Sequence, residues 1–225
     1  MTTDPPLEEI GIVGGTGPQG RGLARRLADA GHRVVIGSRS PARADEAAAH
    51  CREGSAGNGQ VTGGRNEDAA EAELVIVTVP YDGHAEMLTA LAPALAGKIV
   101  IDCVNPLGFD RQGPYPLPVP SGSAAQEAQH ILPDATVIGA FHHLSAVRLE
   151  NPEIDKFDED VLVLGEVREA VEQVCALVAA ALPGARGIYA GRLRNAGQVE
   201  SLTANLIAVN RRYQAHAGLK ITDLP

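Results

Sequence analysis

Between Ile10 and Arg43 the chain reads apolar run, glycine turn, apolar-periodic helix, apolar run, basic turn. That order restricts the possible folds more than anything else in the sequence. Ile10-Gly11-Ile12-Val13 fits a strand buried on both faces. Gly15-Thr16-Gly17-Pro18-Gln19-Gly20 then matches Gly-x-Gly-x-x-Gly. In this pattern Gly15 permits the tight turn, Gly17 lets a pyrophosphate approach the backbone, and Gly20 lets the helix pack closely. Pro18 suits the first helical position, where a missing N–H costs nothing. The free amides and the positive end of the helix dipole then face phosphate. With 25 glycines in the chain, the motif alone says little. Its context says more: it follows a strand, opens a helix (Leu23, Leu27, Ala30) and leads to Val34-Val35-Ile36, as a dinucleotide-binding unit requires.

The end of the second strand selects the dinucleotide. An NAD binder places Asp or Glu there for the ribose 2′-OH. This chain has Gly37-Ser38-Arg39-Ser40-Pro41-Ala42-Arg43 and no acid before Asp45. Ser38, Arg39 and Arg43 suit a 2′-phosphate. Charge-assisted hydrogen bonds are worth about 1.5–3 kcal/mol each, so two of them favour NADP by a factor on the order of 10²–10³. The competing reading is a helix start, Ser40 as N-cap and Pro41 at N1, with solvated arginines. The two readings are compatible, because a helix N-terminus itself binds anions.

Downstream, Leu74 to Val79, Lys98 to Val104, Thr136 to Phe141, Asp160 to Leu164 and Gly187 to Tyr189 read as strands. Helical stretches separate them, including one from Asp82, a candidate N-cap, to Leu95, and one opened by the capping-box pattern Ser123-Ala124-Ala125-Gln126. Alternation of this kind predicts an α/β fold: a Rossmann-type, doubly wound parallel sheet with a smaller C-terminal part. The expected division is residues 1–145 for the dinucleotide and 146–225 closing a cleft. Residues 54–64 read as a glycine-rich loop containing a short strand, and 105–122 as the longest irregular segment. A last helix, Gln198 to Ala217, carries an apolar stripe (Val199, Leu202, Leu206, Val209, Tyr213) for the core or for another subunit.

Composition removes some classes. No apolar run approaches the ~20 residues that span a bilayer, and the polar start, MTTDPPLEE, is neither signal nor transit peptide. Three widely spaced cysteines, Cys51, Cys103 and Cys175, predict reduced thiols in the cytoplasm. A net charge of −9 and the absence of Trp argue against nucleic acid.

In an open α/β sheet, ligands bind beyond the carboxyl ends of the strands. That rule gathers Thr16 to Gln19, Ser38-Arg39, Pro80-Tyr81, Asn105 to Leu107 and His142 to Ala146. The catalytic inventory there is thin. His142-His143 is the conspicuous polar pair, either structural or orienting a substrate, and no third ligand is spaced for a metal. Of the three lysines, Lys98 begins a strand at the remote edge. A crevice with NADP but few acid–base groups suits hydride transfer between two stacked cofactors. An anionic second ligand fits the C-terminal charge. Between Arg186 and Lys220 six residues are positive and only Glu200 is acidic, a net +5 within a chain of −9.

These residues resemble the NADPH-dependent F420 reductases. Gly14-Gly15-Thr16-Gly17 with Gly20 and Gly22, Gly37-Ser38-Arg39, Asn66-Glu67-Asp68-Ala69-Ala70 and Thr78-Val79-Pro80 carry the likeness. So do His142 before Ser145-Ala146, and Asn195 ahead of Val199-Glu200-Ser201-Leu202-Thr203. The Asp102 to Gly108 loop and Phe141-His142-His143-Leu144 look like the actinobacterial branch. The resemblance implies that Gly15, Thr16, Gly17, Pro18 and Gln19 hold pyrophosphate. It implies a 2′-phosphate site at Ser38, Arg39 and Arg43, with Arg43 where archaeal members carry Lys. Tyr81, in place of an archaeal Trp, and Ala85 would lie beside the cofactor. Leu107, His142, Ala146 and Ala217 would lie near the nicotinamide. It further implies NADP(H) and coenzyme F420 as the cofactors, a homodimer, and reversible hydride transfer from C4 of NADPH to C5 of the deazaflavin. No side chain is expected to act as a catalytic acid or base, and no metal is expected. The alternatives are an NADPH-dependent imine or carbonyl reductase, which needs a proton donor near His142 or Tyr81, and an NADP-sensing module without turnover.

Overall fold

A computed structural model describes residues 9–53 and 59–224 of the chain. Residues 54–58 of the glycine-rich loop expected at 54–64, and nearly all of the polar N-terminal stretch, lie outside the described residues.

The first strand, β1 (Glu9–Val13), leads into helix α1 (Pro18–Asp29) and returns through β2 (Arg33–Ser38). Helix α2 (Pro41–Arg52), β3 (Gln60–Arg65) and α3 (Asn66–Ala70) follow, then β4 (Leu74–Val77), α4 (His84–Leu95) and β5 (Ile99–Asp102). A hairpin, β6 (Leu107–Asp110) and β7 (Gly113–Pro116), precedes α5 (Ala124–Ile131) and β8 (Thr136–Gly139). The chain ends with α6 (Ala146–Glu150), β9 (Asp160–Gly165), α7 (Arg168–Ala181), β10 (Arg186–Tyr189) and α8 (Ala196–Tyr213).

Eight strands form one sheet in the order β10-β9-β8-β5-β4-β1-β2-β3. Strands β3, β2, β1, β4, β5 and β8 pair in parallel, as the alternation predicts. Beyond β8 the expectation of a parallel sheet fails: β9 pairs antiparallel to β8, and β10 follows β9. The connection explains it. A parallel neighbour needs a crossover that carries the chain back along the sheet. The helix available between β8 and β9 is the five-residue α6, about 7.5 Å long. The chain therefore re-enters at the edge it left, and β9 must run backwards.

The central strands are apolar without interruption because both faces are covered. Leu74 and Ile76 join the core with Leu23, Leu27 and Val174, whereas Val75 and Val77 join the opposite core with Leu88, Leu95 and Ala125. Turn chemistry departs from expectation at two places. The 105–122 segment contains the β6–β7 hairpin. Asp82 is not a cap: residues Tyr81–Gly83 form a 3₁₀ turn, and α4 starts behind Gly83 with no side-chain cap. Ser123 does cap α5, its Oγ accepting from the Gln126 amide at 3.0 Å. Helix α8 ends at Tyr213, before the expected Ala217, with Gln214 left-handed at φ 52°. No helix among the described residues is long and apolar enough to cross a membrane.

Candidate functional site

The carboxyl ends of the parallel strands open into one continuous crevice of about 1720 Å³. Its first end is the glycine turn. The Gly15 amide donates to the carbonyls of Ile12 (3.2 Å) and Gly37 (3.0 Å), which ties β1 to β2. The Gly14 amide donates to Asn66 Oδ1 at 3.0 Å. Gly17 caps α1, no side chain bonds the first-turn amides, and Pro18 sits in the first turn. An anion there meets uncapped N–H groups and the helix dipole. A Cβ on Gly17 would find nothing within 4 Å, whereas one on Gly20 would fall on the Gly15 backbone. The turn therefore has the two kinds of glycine that the motif needs: one open to a ligand and one forced by packing.

Ser38, Arg39 and Arg43 line the same end of the crevice. Ser38 Oγ accepts from the Ser40 amide at 3.2 Å, which leaves its own hydrogen available. Ser40 and Pro41 start α2, without a side-chain cap. Both arginines are exposed and have no ion-pair partner among the described residues. A basic, uncapped corner of this kind fits a phosphate.

The middle of the crevice is the turn after β8. Phe141 is buried at φ 64°, a conformation that costs a non-glycine residue roughly 1–3 kcal/mol. Three elements hold it there. Gln19 Nε2 donates to the Phe141 carbonyl at 3.1 Å. Asn105 Nδ2 and Thr203 Oγ1 both donate to the His142 carbonyl, at 2.8 and 3.1 Å. Asn105 Oδ1 stays buried without a hydrogen-bond partner. The buried His142 ring lies against Gly139 of β8, where a Cβ would come within 3.2 Å of Nε2. Burial pushes it down to about 4, so it is neutral near pH 7. His143 is likewise held at about 4, first by burial, and its Nε2 accepts from the Leu162 amide at 3.2 Å. Neither ring is therefore placed as an acid: His143 accepts through Nε2, whereas both ring nitrogens of His142 are buried without a hydrogen-bond partner.

The far end is more apolar. Leu144, Ala146 and Val147 face Leu206 and Ile207 of α8 and the stretch Ala215 to Ala217. The small helix α6 sits where α1 fixes it. Arg26 donates to the carbonyls of Leu149 (2.9 Å), Arg148 (3.0 Å) and Asn151 (2.6 Å), and Arg21 pairs with Glu150 at 2.7 Å.

Behind the crevice floor lies a buried ionic cluster that the sequence did not reveal. His84 Nδ1 is 3.2 Å from Glu127 Oε2, and the opposite ring nitrogen meets Asp102. Asp102 Oδ1 accepts from the Val104 amide at 3.0 Å. Burial opposes a charge on His84, but Asp102 and Glu127 outweigh it and push it up to about 9. Glu200 of α8 accepts from the Ala124 and Ala125 amides at 2.9 and 3.1 Å. Its burial outweighs those bonds and raises it to about 7.

Of the residues expected at a cofactor, Thr16, Gly17, Pro18, Gln19, Ser38, Arg39, Arg43, His142, Ala146 and Ala217 line this one crevice. Gly15 is buried within the turn and does not line the crevice. Tyr81, Ala85 and Leu107 do not line it: Tyr81 packs beside His84, Ala85 is exposed on α4, and Leu107 begins the hairpin. The wall from α8 (Thr203, Leu206, Ile207, Asn210) was not anticipated. Its signal was present in the apolar spacing of that helix, which does not say what the face covers.

Comparison with known proteins agrees with this geometry. A family model described as "NADP oxidoreductase coenzyme F420-dependent" matches residues 9–106. The F420-dependent NADP reductase of Methanocaldococcus jannaschii is 36% identical over 224 residues, covering 96% of this chain and 99% of that protein. Its counterpart in Methanothermobacter marburgensis is 37% identical over 224 residues, with the same two coverages of 96% and 99%. A crystal structure from Arthrobacter sp. FB24, provisionally described as an F420-dependent NADP-reductase, superposes with a TM-score of 0.78 at 28% identity, over 96% of this chain and 100% of that one.

Proposed function

We infer, from the fact that this chain belongs to the F420-dependent NADP reductase family, that its crevice brings NADP(H) and coenzyme F420 together for reversible hydride transfer. The chain is an oxidoreductase, and these two molecules are its cofactors and substrates. The observation that carries the reading of the site is the continuity of the crevice, from the uncapped start of α1 to the apolar wall of α6 and α8.

Thr16 to Gln19 would receive the pyrophosphate, the open face of Gly17 giving it room. Ser38, Arg39 and Arg43 would take the 2′-phosphate. Asn105, with an unpartnered Oδ1, would accept a hydrogen bond from the nicotinamide carboxamide. The deazaflavin would lie between Leu144, Ala146 and Val147 on one side and Leu206, Ile207 and Ala217 on the other. When bound, NADPH supplies a hydride from C4 to C5 of the deazaflavin, with a proton completing the reduced form. The residues of the chain bind, align and dry the two rings. That suffices where catalysis is mainly a matter of bringing reacting carbons to about 3–3.5 Å.

On this reading residues 1–145 supply the NADP site, and 146–225 close the deazaflavin cleft. The enzyme is a homodimer, supported by an uncovered apolar face. Phe109 and Tyr115 of the hairpin are 62% and 44% exposed, and Val209 and Tyr213 of α8 are 38% and 73% exposed. Its place is the cytoplasm, supported by three unpaired cysteines. Its partners are small molecules rather than nucleic acid, given the net charge of −9.

The test is anaerobic mixing of the purified chain with NADPH and F420. Loss of the visible absorbance of the oxidised deazaflavin is expected. An unchanged spectrum, with NADPH binding intact, would sink the reading.

A further inference from the structure

The backbone beyond α8 has no regular structure, yet it forms part of the crevice. After the left-handed turn at Gln214, residues Ala215 to Ala217 line the apolar end. The strap then runs along the start of β9 to Leu224. It is anchored near the crevice and again at the start of β9, with an exposed ion pair between Lys220 Nζ and Asp158 Oδ1 at 2.6 Å beside the second anchor. Near the crevice, the Ala217 amide donates to Asn210 Oδ1 at 2.6 Å, and His216 Nδ1 is 3.5 Å from Ser145 Oγ. Further on, Asp160 and Arg186 grip it together. Arg186 donates two parallel bonds to the Asp160 carboxylate, 2.8 and 2.9 Å, and a third to the Ile221 carbonyl at 2.9 Å. Asp160 Oδ2 accepts from the Ile221 amide at 2.6 Å, and the Asp160 amide donates to the Leu219 carbonyl at 2.7 Å.

The location of this clamp follows from the reversed strands. Asp160 and Arg186 are the first residues of β9 and β10. Because these strands run against the others, their beginnings lie at the edge where the parallel strands end, which is the crevice edge. The Asp160 side chain is fully buried, so the pair is held firmly there. Arginine suits such a bond, since its planar fork matches a carboxylate.

We propose that Asp160 and Arg186 are positioning residues for the deazaflavin, acting through the strap that they clamp. The inference rests on the apolar end of the crevice being the deazaflavin site. Neither residue lines the crevice. Their effect is to fix Ala215 to Ala217, whose ordering entropy otherwise falls on the anchors at Asn210 and Ser145 and on the exposed Lys220–Asp158 pair. Hydride transfer is sensitive to such a wall, since a misplacement of about 1 Å costs about 10²-fold. The NADP end, built from α1, β2 and α2, is independent of the strap.

The experiment compares the full chain with Arg186→Ala, Arg186→Lys and Gly218→Ala. Gly218→Ala perturbs the strap while leaving the Asp160 and Arg186 side chains in place, because a Cβ there would run into the buried side chain of Glu159, the residue before Asp160. Steady-state turnover with varied F420, NADPH affinity and backbone hydrogen exchange over 214–224 are measured. Arg186→Ala and Gly218→Ala are expected to lower kcat/KM for F420 by about 10- to 100-fold, with NADPH affinity unchanged and faster exchange in the strap. Arg186→Lys is expected to recover part of the loss. Faster exchange with wild-type F420 kinetics overturns the inference alone, as does a fall in NADPH affinity in step with that for F420. A wild-type chain that does not turn over F420 overturns the reading of the crevice, and the inference with it.

Discussion

His84 Nε2 lies 2.6 Å from Asp102 Oδ2, and neither side chain reaches solvent. The pair joins the start of α4 to the end of β5, directly before Cys103, Val104 and Asn105 of the crevice floor. Removing one partner strands a buried charge, which typically costs about 3–5 kcal/mol. His84→Ala and Asp102→Ala are each expected to destabilise the fold by that order. The double variant should cost much less than the sum of the two, as denaturant titration of all three would show.

Stability should also depend on pH in a definite sense. Burial holds His142 and His143 at about 4 in the folded chain, below their ordinary 6.5. Their contribution is present above 6.5 and is lost as pH falls towards 4. His84, held near 9 by its carboxylate partners against the cost of burial, contributes fully below 6.5 and loses that contribution as pH rises through 9. Glu200, raised to about 7 by burial, is likewise stabilising at low pH and costs stability once it ionises. The four effects cross near pH 6.5. Thermal melts across the pH range should peak there and fall on both sides; a melt still rising at pH 8 would contradict the assignments.

Two glycines of the turn should behave oppositely. Gly17→Ala places a methyl in open space, so stability should change by under about 0.5 kcal/mol. NADPH affinity should nevertheless fall by tenfold or more, on the order of a lost charge-assisted contact. Gly20→Ala drives a Cβ into the Gly15 backbone and should cost several kcal/mol on the scale of an overpacked core, roughly 1–3 kcal/mol or above. Melting curves and NADPH titrations of the two variants separate these outcomes.

Arg39→Ala with Arg43→Ala should weaken NADPH by about 10²-fold or more, from the loss of two charge-assisted bonds, and leave NADH nearly unchanged. An equal loss for both nucleotides would show that the basic corner does not read the 2′-phosphate.

General acid–base catalysis is worth about 10²–10⁴-fold. A neutral, buried His142 cannot donate a proton near pH 7, so His142→Ala should cost turnover less than about tenfold. A near-complete loss of kcat, with NADPH binding intact, would instead favour the imine or carbonyl reductase reading.

Much of this was legible in the sequence where the cause is local. The glycine turn, Pro18 at the start of α1, the basic corner and the Ser123 cap each depend on residues a few positions apart. The reversal of β9 was not legible, because strand direction depends on which edge the connection reaches, and only the shortness of α6 reveals that. The cluster of His84, Asp102, Glu127 and Glu200 escaped notice for a related reason. Its members come from α4, β5, α5 and α8, and no spacing links them. In the hairpin, prolines and glycines masked a short ladder. The stripe on α8 was read correctly as apolar, yet Val209 and Tyr213 stay exposed while Leu206 faces the crevice. Periodicity gives a face and not its occupant.

A single uninterrupted crevice has a consequence for the order of events. If the crevice takes both substrates as proposed, they are resident together when the hydride is exchanged. Initial rates measured at several fixed concentrations of one substrate should therefore give double-reciprocal lines that intersect rather than run parallel, and each product should compete only with its own oxidised or reduced counterpart.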